Sequence, residues 1–192
     1  MNDADAADFA TAIVAVKRRN ASLGQFIGRF TEVVKMPAPA LRPASLKAMM
    51  EDILWLNREG CARTGIRLGW RRCDEVEPVL LDAGLMEGAL LNIVKNAIEA
   101  VLARQAAGGY VEIALERNGS DTVLAVIDSA NLLGEAPPRQ LFTPFFSTKQ
   151  GGQGIGLMFV REVLTRHGYA YSLAATGRGE TRFEIRFPAA GL

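Results

Sequence analysis

The sequence predicts an α+β chain: a mixed or antiparallel sheet covered by helices on one face, preceded by a long N-terminal helix. Three observations carry this. Apolar residues recur at helical spacing near the N-terminus and again over residues 85–102. Short alternating stretches later in the chain cluster as hairpins, with Asn118-Gly119 the clearest turn signal. Pro37, Pro39 and Pro43 separate the two parts, because each lacks an amide proton and clashes with a preceding helical turn.

Bulk composition narrows the possibilities. The 192 residues are 49% hydrophobic and 22% charged, with a formal net charge of +1. That length suggests one or two domains of roughly 100–150 residues. A near-zero charge gives no electrostatic basis for binding nucleic acid or an anionic membrane surface. No run of ~20 apolar residues is present, so this chain itself is not expected to contact a membrane. Cys61 and Cys73 have no companions at zinc-binding spacing and read as reduced thiols.

The elements follow in order. Phe9, Ile13, Val16, Asn20, Leu23, Ile27, Phe30 and Val34 form a heptad seam, apolar except at Asn20. A seam of this kind needs a partner helix, supplied by a second copy or by the chain's own globular part, and Asn20 would help fix its register. The expected organisation is a dimerisation helix over 1–36, a proline-rich linker over 37–44 and a domain over 45–192. In that domain Ser45 caps a helix over 46–59. Strands are expected at 66–70, 111–115, 122–127, 171–174 and 181–187, and helices at 85–102 and 156–167.

Three segments carry chemistry. On the helix at 85–102, Met86, Leu90, Ile93, Val94, Ala97 and Val101 make the buried stripe. Asn92, Lys95, Asn96 and Glu99 share another face. Asparagine is a poor helix former, and an amide oxygen can ligate Mg²⁺ among phosphates while a lysine meets the same phosphates. The run Gly151-Gly152-Gln153-Gly154-Ile155-Gly156-Leu157 opens into a helix, where backbone amides and the helix dipole suit an anion. No Gly-Lys-Ser/Thr follows it and no strand immediately precedes it, so it is neither a P-loop nor a dinucleotide fingerprint. Leu141–Lys149 precedes it, with aromatics suited to a lid and Lys149 to a phosphate. Asp128 ends a strand, where its carboxylate can accept from an exocyclic amine such as adenine N6.

Together these segments resemble the ATP-binding domain of histidine kinases. Leu90–Ala100 is similar to its asparagine box, Asp128 to the start of its first glycine box, Leu141–Lys149 to its phenylalanine box and Gly151–Leu157 to its second glycine box, in the family's order. The residues before 45 resemble the second helix and linker of a dimerisation domain of the nitrogen-regulation-sensor type. The resemblance implies a two-layer α/β sandwich of the Bergerat type and a function: transfer of the ATP γ-phosphate to a histidine outside this chain, for relay to a response regulator. It implies ATP and Mg²⁺ as cofactors, with Asn96 on the metal and Asn96 and Lys95 catalytic. ATP would be held by Asn92, Asn96, Lys95, Asp128, Lys149, Gly152, Gly154, Ile155, Gly156 and Leu157, with Thr181 supporting Asp128. The implied partners are a second copy through the N-terminal helix, an acceptor-histidine segment and a response regulator. The implied location is cytoplasmic, alone or as the cytoplasmic part of a membrane-bound sensor.

Two departures bear on this. The first glycine box reads Asp128-Ser129-Ala130-Asn131-Leu132, with Ala130 and Leu132 where the family has glycine, so strain or an altered loop is expected there. His167 is the only histidine. It sits in the last turn of a helix before Gly168, the place of a helix-closing residue and not of a phosphoacceptor. A nucleotide-binding or degenerate pseudokinase module that dimerises without phosphotransfer is therefore the alternative. An ATP-hydrolysing clamp is disfavoured, since those members place a glutamate base where Asn92 stands, and an amide cannot accept the proton.

Overall fold

A computed structural model describes residues 33–104, 108–131 and 154–189, together with residues 13, 14, 16, 17, 20, 23, 24, 27, 28, 31, 142 and 143. The chain divides into two compact units, Met1–Pro37 and Ala38–Leu192. In the first, every described residue from Ile13 to Val34 is helical. The seam positions Ile13, Val16, Asn20, Leu23, Ile27 and Val34 are all exposed, Val16 by 64% and Val34 by 61%. Phe9 and Phe30 lie outside the described residues.

The second unit runs β1 (Arg42–Ala44), α1 (Leu46–Arg63), β2 (Arg67–Cys73), β3 (Val79–Leu81), α2 (Ala83–Arg104), β4 (Tyr110–Asn118), β5 (Asp121–Asp128), α3 (Gly156–His167), β6 (Ala170–Ala175) and β7 (Thr181–Phe187). Five strands form one sheet in the order β2-β4-β5-β7-β6. β2 runs parallel to β4 and the other neighbours are antiparallel, so the sheet is mixed, as the hairpin pattern predicted. β1 and β3 pair separately. Residues 42–44 thus belong to a strand, although the prolines around them read as linker; three-residue strands are too short to show an alternation. No helix among the described residues is long and apolar enough to cross a membrane.

Burial follows the register. Ile113, Val126 and Phe183 are aligned across three strands, as are Leu115, Leu124 and Ile185, and all six are buried. These larger side chains meet the buried stripe of α2, in which Met86, Leu90, Ile93, Val94, Ala97 and Val101 are buried as expected. The other sheet face has Ala114, Ala125 and Ile127 packed together as a small apolar cluster, with Arg182 and Glu184 paired at 3.0 Å on the neighbouring strand. In the β4–β5 hairpin Asn118 is the last paired residue, opposite Asp121, and the turn falls on Gly119 (φ 63°) and Ser120.

Caps fix the helix ends. Ser45 Oγ accepts from the Ala48 amide at 3.2 Å. α2 starts two residues before the apolar pattern because Asp82 caps it, its Oδ1 accepting from the Leu85 amide at 3.1 Å. The other oxygen of Asp82 accepts from the Ala40 amide at 3.0 Å. These amides, Ala40 first and Leu85 next, hold the Asp82 carboxyl below the usual carboxylate range. α3 closes at Gly168 with φ 73°. His167 is buried; its Nδ1 meets the Val163 carbonyl at 2.7 Å and its Nε2 accepts from the Asp82 amide at 3.0 Å. A proton on Nδ1 satisfies both contacts. Burial pushes the Cys61 thiol up, and Cys73 is an exposed free thiol.

Replacing His167 with leucine removes the acceptor of a buried amide. The expected result in a urea titration is a loss of about 1–3 kcal/mol in unfolding free energy. An unchanged midpoint would show that the bridge adds nothing to stability.

Candidate functional site

The site is built where α3 begins against α2. A Cβ placed on Gly156 would stand 3.1 Å from Asn92 Oδ1 and 3.8 Å from Asn96 Nδ2. A side chain at 156 would crowd the Asn92 carboxamide by a few tenths of an ångström, so glycine suits the close approach of the α3 start to the asparagine face. Gly88 does the same one turn earlier on α2, where a Cβ would stand 3.3 Å from the Phe159 ring. Asn92 Nδ2 donates to the Gly88 carbonyl at 2.8 Å, which directs its oxygen toward Gly156. Asn92 and Asn96 are both half-buried. Lys95 lies on the exposed side, its Nζ 4.0 Å from Glu99.

At the start of α3, Gly154 has φ 66°, a left-handed angle that favours glycine. Ile155 is buried and anchors the turn, while Leu157 is half-buried. Ile155 occupies the cap position and has no polar side chain to offer the first-turn amides, the condition under which a helix start suits an anion. Lys149, Gly151, Gly152 and Gln153 lie outside the described residues, as do Phe145 and Phe146. Phe142, the first aromatic of the preceding segment, is buried edge-on against Tyr171, with ring centroids 5.2 Å apart, and against Phe183 at 6.2 Å.

Asp128 forms the other end. It is buried at the tip of β5, where the register pairs it with Thr181. Its Oδ1 accepts from the Ala130 amide at 2.9 Å. Thr181 and Asn131, placed to donate to the carboxyl, also pull its pKa down. Desolvation outweighs these donors and pushes Asp128 up to about 6, and the charge of Glu180 adds to the rise.

The strain expected at Ala130 is not found. The left-handed residue is Asn131, at φ 49°, and Ala130 is not among the positive-φ residues. Asparagine tolerates that angle better than other side chains, so the loop shifts its unusual conformation by one position. Ala130 is fully buried. Arg104 closes over the loop, Nη1 donating to the Ala130 carbonyl at 2.6 Å and to the Ser129 carbonyl at 3.4 Å. Leu132 lies outside the described residues.

Sequence reasoning missed a charged cluster behind Asp128. Glu180 is buried. It accepts from Arg71 at 2.6 and 3.4 Å, from the Tyr110 hydroxyl at 2.6 Å and from Thr176 Oγ1 at 3.3 Å. Arg71 also pairs with Glu112 at 2.6 Å, and the guanidinium groups of Arg67 and Arg71 lie 5.3 and 5.8 Å from the Tyr110 ring centre. Arg71 chiefly holds Glu180 down to about 2, and Glu180 in turn raises Arg71 and the Tyr110 phenol. The only sequence signal was an arginine, a tyrosine and a glutamate flanking strands, which is ordinary.

Residues 82–191 match the family described as histidine kinase-, DNA gyrase B-, and HSP90-like ATPase. The chain is 28% identical over 170 residues to the nitrogen regulation protein NtrY of Azorhizobium caulinodans, covering 84% of this chain and 21% of that protein. It therefore spans a minor part of that relative. The nucleotide-free catalytic domain of the histidine kinase ThkA is similar with a TM-score of 0.68 at 24% identity, over 77% of this chain and 95% of that one. ThkA in complex with the response regulator TrrA is similar with a TM-score of 0.74 at 19% identity, over 93% of this chain and 51% of that one. The two-layer sandwich is thus the fold of histidine kinase catalytic domains.

The raised Asp128 has a consequence for stability. A folded-state value of about 6 lies above the unfolded value near 4. Its contribution is therefore fully present below about pH 4 and lost as pH rises through 6. Asp128→Asn is expected to raise the unfolding free energy of the nucleotide-free chain at pH 7.5 by about 1–3 kcal/mol, with little change at pH 4. Denaturant titrations at the two pH values check this, and equal effects at both would refute it.

Proposed function

The chain belongs to the histidine kinase-, DNA gyrase B- and HSP90-like ATPase family, and on that premise we propose that it is the ATP-binding catalytic portion of a two-component sensor histidine kinase. Adenine is recognised at Asp128, and the triphosphate lies between the asparagine face of α2 and the start of α3. The γ-phosphate passes to a histidine outside residues 1–192, for relay to a response regulator. The single observation that carries this reading is the closeness of the α3 start to the asparagine face, where a Cβ on Gly156 would stand 3.1 Å from Asn92 Oδ1 and 3.8 Å from Asn96 Nδ2. It brings uncapped helix amides and two carboxamide side chains to one place, groups that suit a metal-bound triphosphate.

Each side chain has a role in this reading. Asp128 accepts from the adenine amine, and the Thr181 hydroxyl keeps the carboxyl oriented. Backbone amides at Gly154, Ile155, Gly156 and Leu157 meet phosphate oxygens, with Gly152 and Lys149 completing the lid. Lys95 is exposed and mobile enough on its aliphatic stem to turn from Glu99 to a phosphate. Asn96 is the metal ligand and Asn92 lies beside it. Among the described residues no three His, Cys, Asp or Glu side chains gather as a metal site. A neutral carboxamide set fits a Mg²⁺ that arrives with the nucleotide's charge. When bound, Mg²⁺ neutralises charge on the phosphate oxygens and helps fix their orientation. Positioning and electrostatics supply the catalysis. Asn92 offers no base for activating water, which favours transfer over rapid hydrolysis.

The acceptor lies on another segment because His167, the chain's one histidine, has both ring nitrogens engaged. The exposed seam of the N-terminal helix pairs with a second copy, and the chain works in the cytoplasm.

Mixing the chain with a separate acceptor-helix polypeptide and labelled ATP tests the main claim. Mg²⁺-dependent labelling of the acceptor is expected, whereas nucleotide binding without transfer would move the reading to a regulatory module. For the seam, Ile27→Lys is expected to convert the dimer to monomer in sedimentation at micromolar concentration. A monomer before substitution would refute pairing through this helix.

A further inference from the structure

Glu180 stands one residue before Thr181, and strand alternation places it on the opposite face of the sheet from the nucleotide site. The register aligns Val111, Asp128 and Thr181 across β4, β5 and β7. Residues 110, 129 and 180 form the next row, with their side chains on the other face. That row is joined at both ends. Tyr110 and Ser129 exchange hydrogen bonds, the Tyr110 amide donating to Ser129 Oγ at 3.0 Å and the Ser129 amide to the Tyr110 carbonyl at 3.2 Å. The Tyr110 hydroxyl then reaches Glu180 at 2.6 Å. Glu180 is held from outside by the fork of Arg71 on β2 and from below by Thr176. Ser129, which follows Asp128, is thereby linked through Tyr110 to one buried carboxylate.

We infer that Glu180 is a positioning residue for the nucleotide site: through Arg71 within β2 and Tyr110 at the start of β4 it ties both strands to the start of β7 and so sets the place of Asp128 and of the loop that follows it. This rests on the reading of Asp128 as the adenine acceptor. The loop has no glycine from Ser129 to Asn131, and its conformation is imposed by its neighbours. Arg104 grips its carbonyls from the α2 side. Tyr110 grips Ser129 from the strand side, and Glu180 holds Tyr110. The same carboxylate also acts on Asp128 through its charge, raising it further. Among the described residues, the charge acting on Asp128 is that of Glu180 before β7, which Arg71 on β2 compensates, and Arg104 at the end of α2 holds the carbonyls of Ser129 and Ala130.

Glu180→Gln keeps the shape and removes the charge, while Tyr110→Phe keeps the ring between the arginines and removes the hydroxyl. In the nucleotide-free chain, hydrogen exchange at the amides of 129–131 is expected to quicken in both variants. ADP affinity, measured by calorimetry, is expected to fall about fivefold in each, and the double variant to be little worse than either single one, as coupled neighbours require. The acid limb of ADP binding in Glu180→Gln moves to lower pH, because Asp128 ionises more readily beside a neutral amide; a merely structural residue would leave it in place. Wild-type exchange at 129–131, fully additive affinity losses, or an unmoved acid limb would each overturn the inference. If the unaltered chain does not bind ADP, the functional reading fails instead. The exchange measurement, made without nucleotide, then still decides whether Glu180 holds the loop.

Discussion

A carboxylate taken out of water must find its hydrogen bonds inside the protein, and at Asp128 that requirement shapes its surroundings. β5 is the central strand, and its residues from Thr122 to Asp128 are buried, so its last side chain emerges under cover. Thr181 is directly opposite because β7 is the neighbouring strand in that register. The backbone turns back at Ala130 so that its amide reaches the carboxyl. These donors do not fully offset desolvation, and the group stays easier to protonate than a free aspartate. A carboxyl in that condition has acceptor capacity to offer a ligand's amine. The site thus retains some instability in the free protein that binding can relieve.

The opposite end of the site works by removal. Gly156 and Gly88 leave room where two helices would ordinarily meet through side chains. The helices approach through a carboxamide and an aromatic ring instead. The polar part of that interface faces the start of α3, where amides have no intrahelical partners. Asn92 can remain within a helix because its amide bonds back to the Gly88 carbonyl, leaving its oxygen directed at the site. His167 fastens the far end of the same helix to Asp82, so both ends of α3 are fixed to α2 or to its cap.

The parts legible in the sequence were the local ones. The stripe of α2, the asparagines on its other face, the left-handed stop at Gly168 and the glycines before α3 each declare themselves within a few residues. The β4–β5 hairpin did too, apart from a one-residue displacement of its turn. What stayed hidden depends on distant residues. The pairing of β1 with β3 joins three-residue strands that carry no periodicity. The Arg71–Tyr110–Glu180 cluster unites three strands whose charged residues read individually as solvated. The loop after Asp128 was read as strained or rerouted where its glycines are missing, and at Ala130 it is rerouted, with the left-handed angle on Asn131, a choice no local pattern announced. A pattern of glycines records one solution for a loop, and a neighbouring asparagine with an arginine clamp is another.

That substitution also changes the entropy of the loop. An alanine in an ordinary backbone conformation restricts the unfolded chain more than a glycine does, and the difference favours the folded loop by about 0.4–1 kcal/mol. Ala130 meets that condition. A glycine-rich loop in its place would hold more conformations in the free protein and would lose them on meeting its ligand. Here much of that ordering is complete when the chain folds, so binding at this end of the pocket should carry a smaller entropic penalty. The backbone beside Asp128 is thus ordered before any ligand arrives.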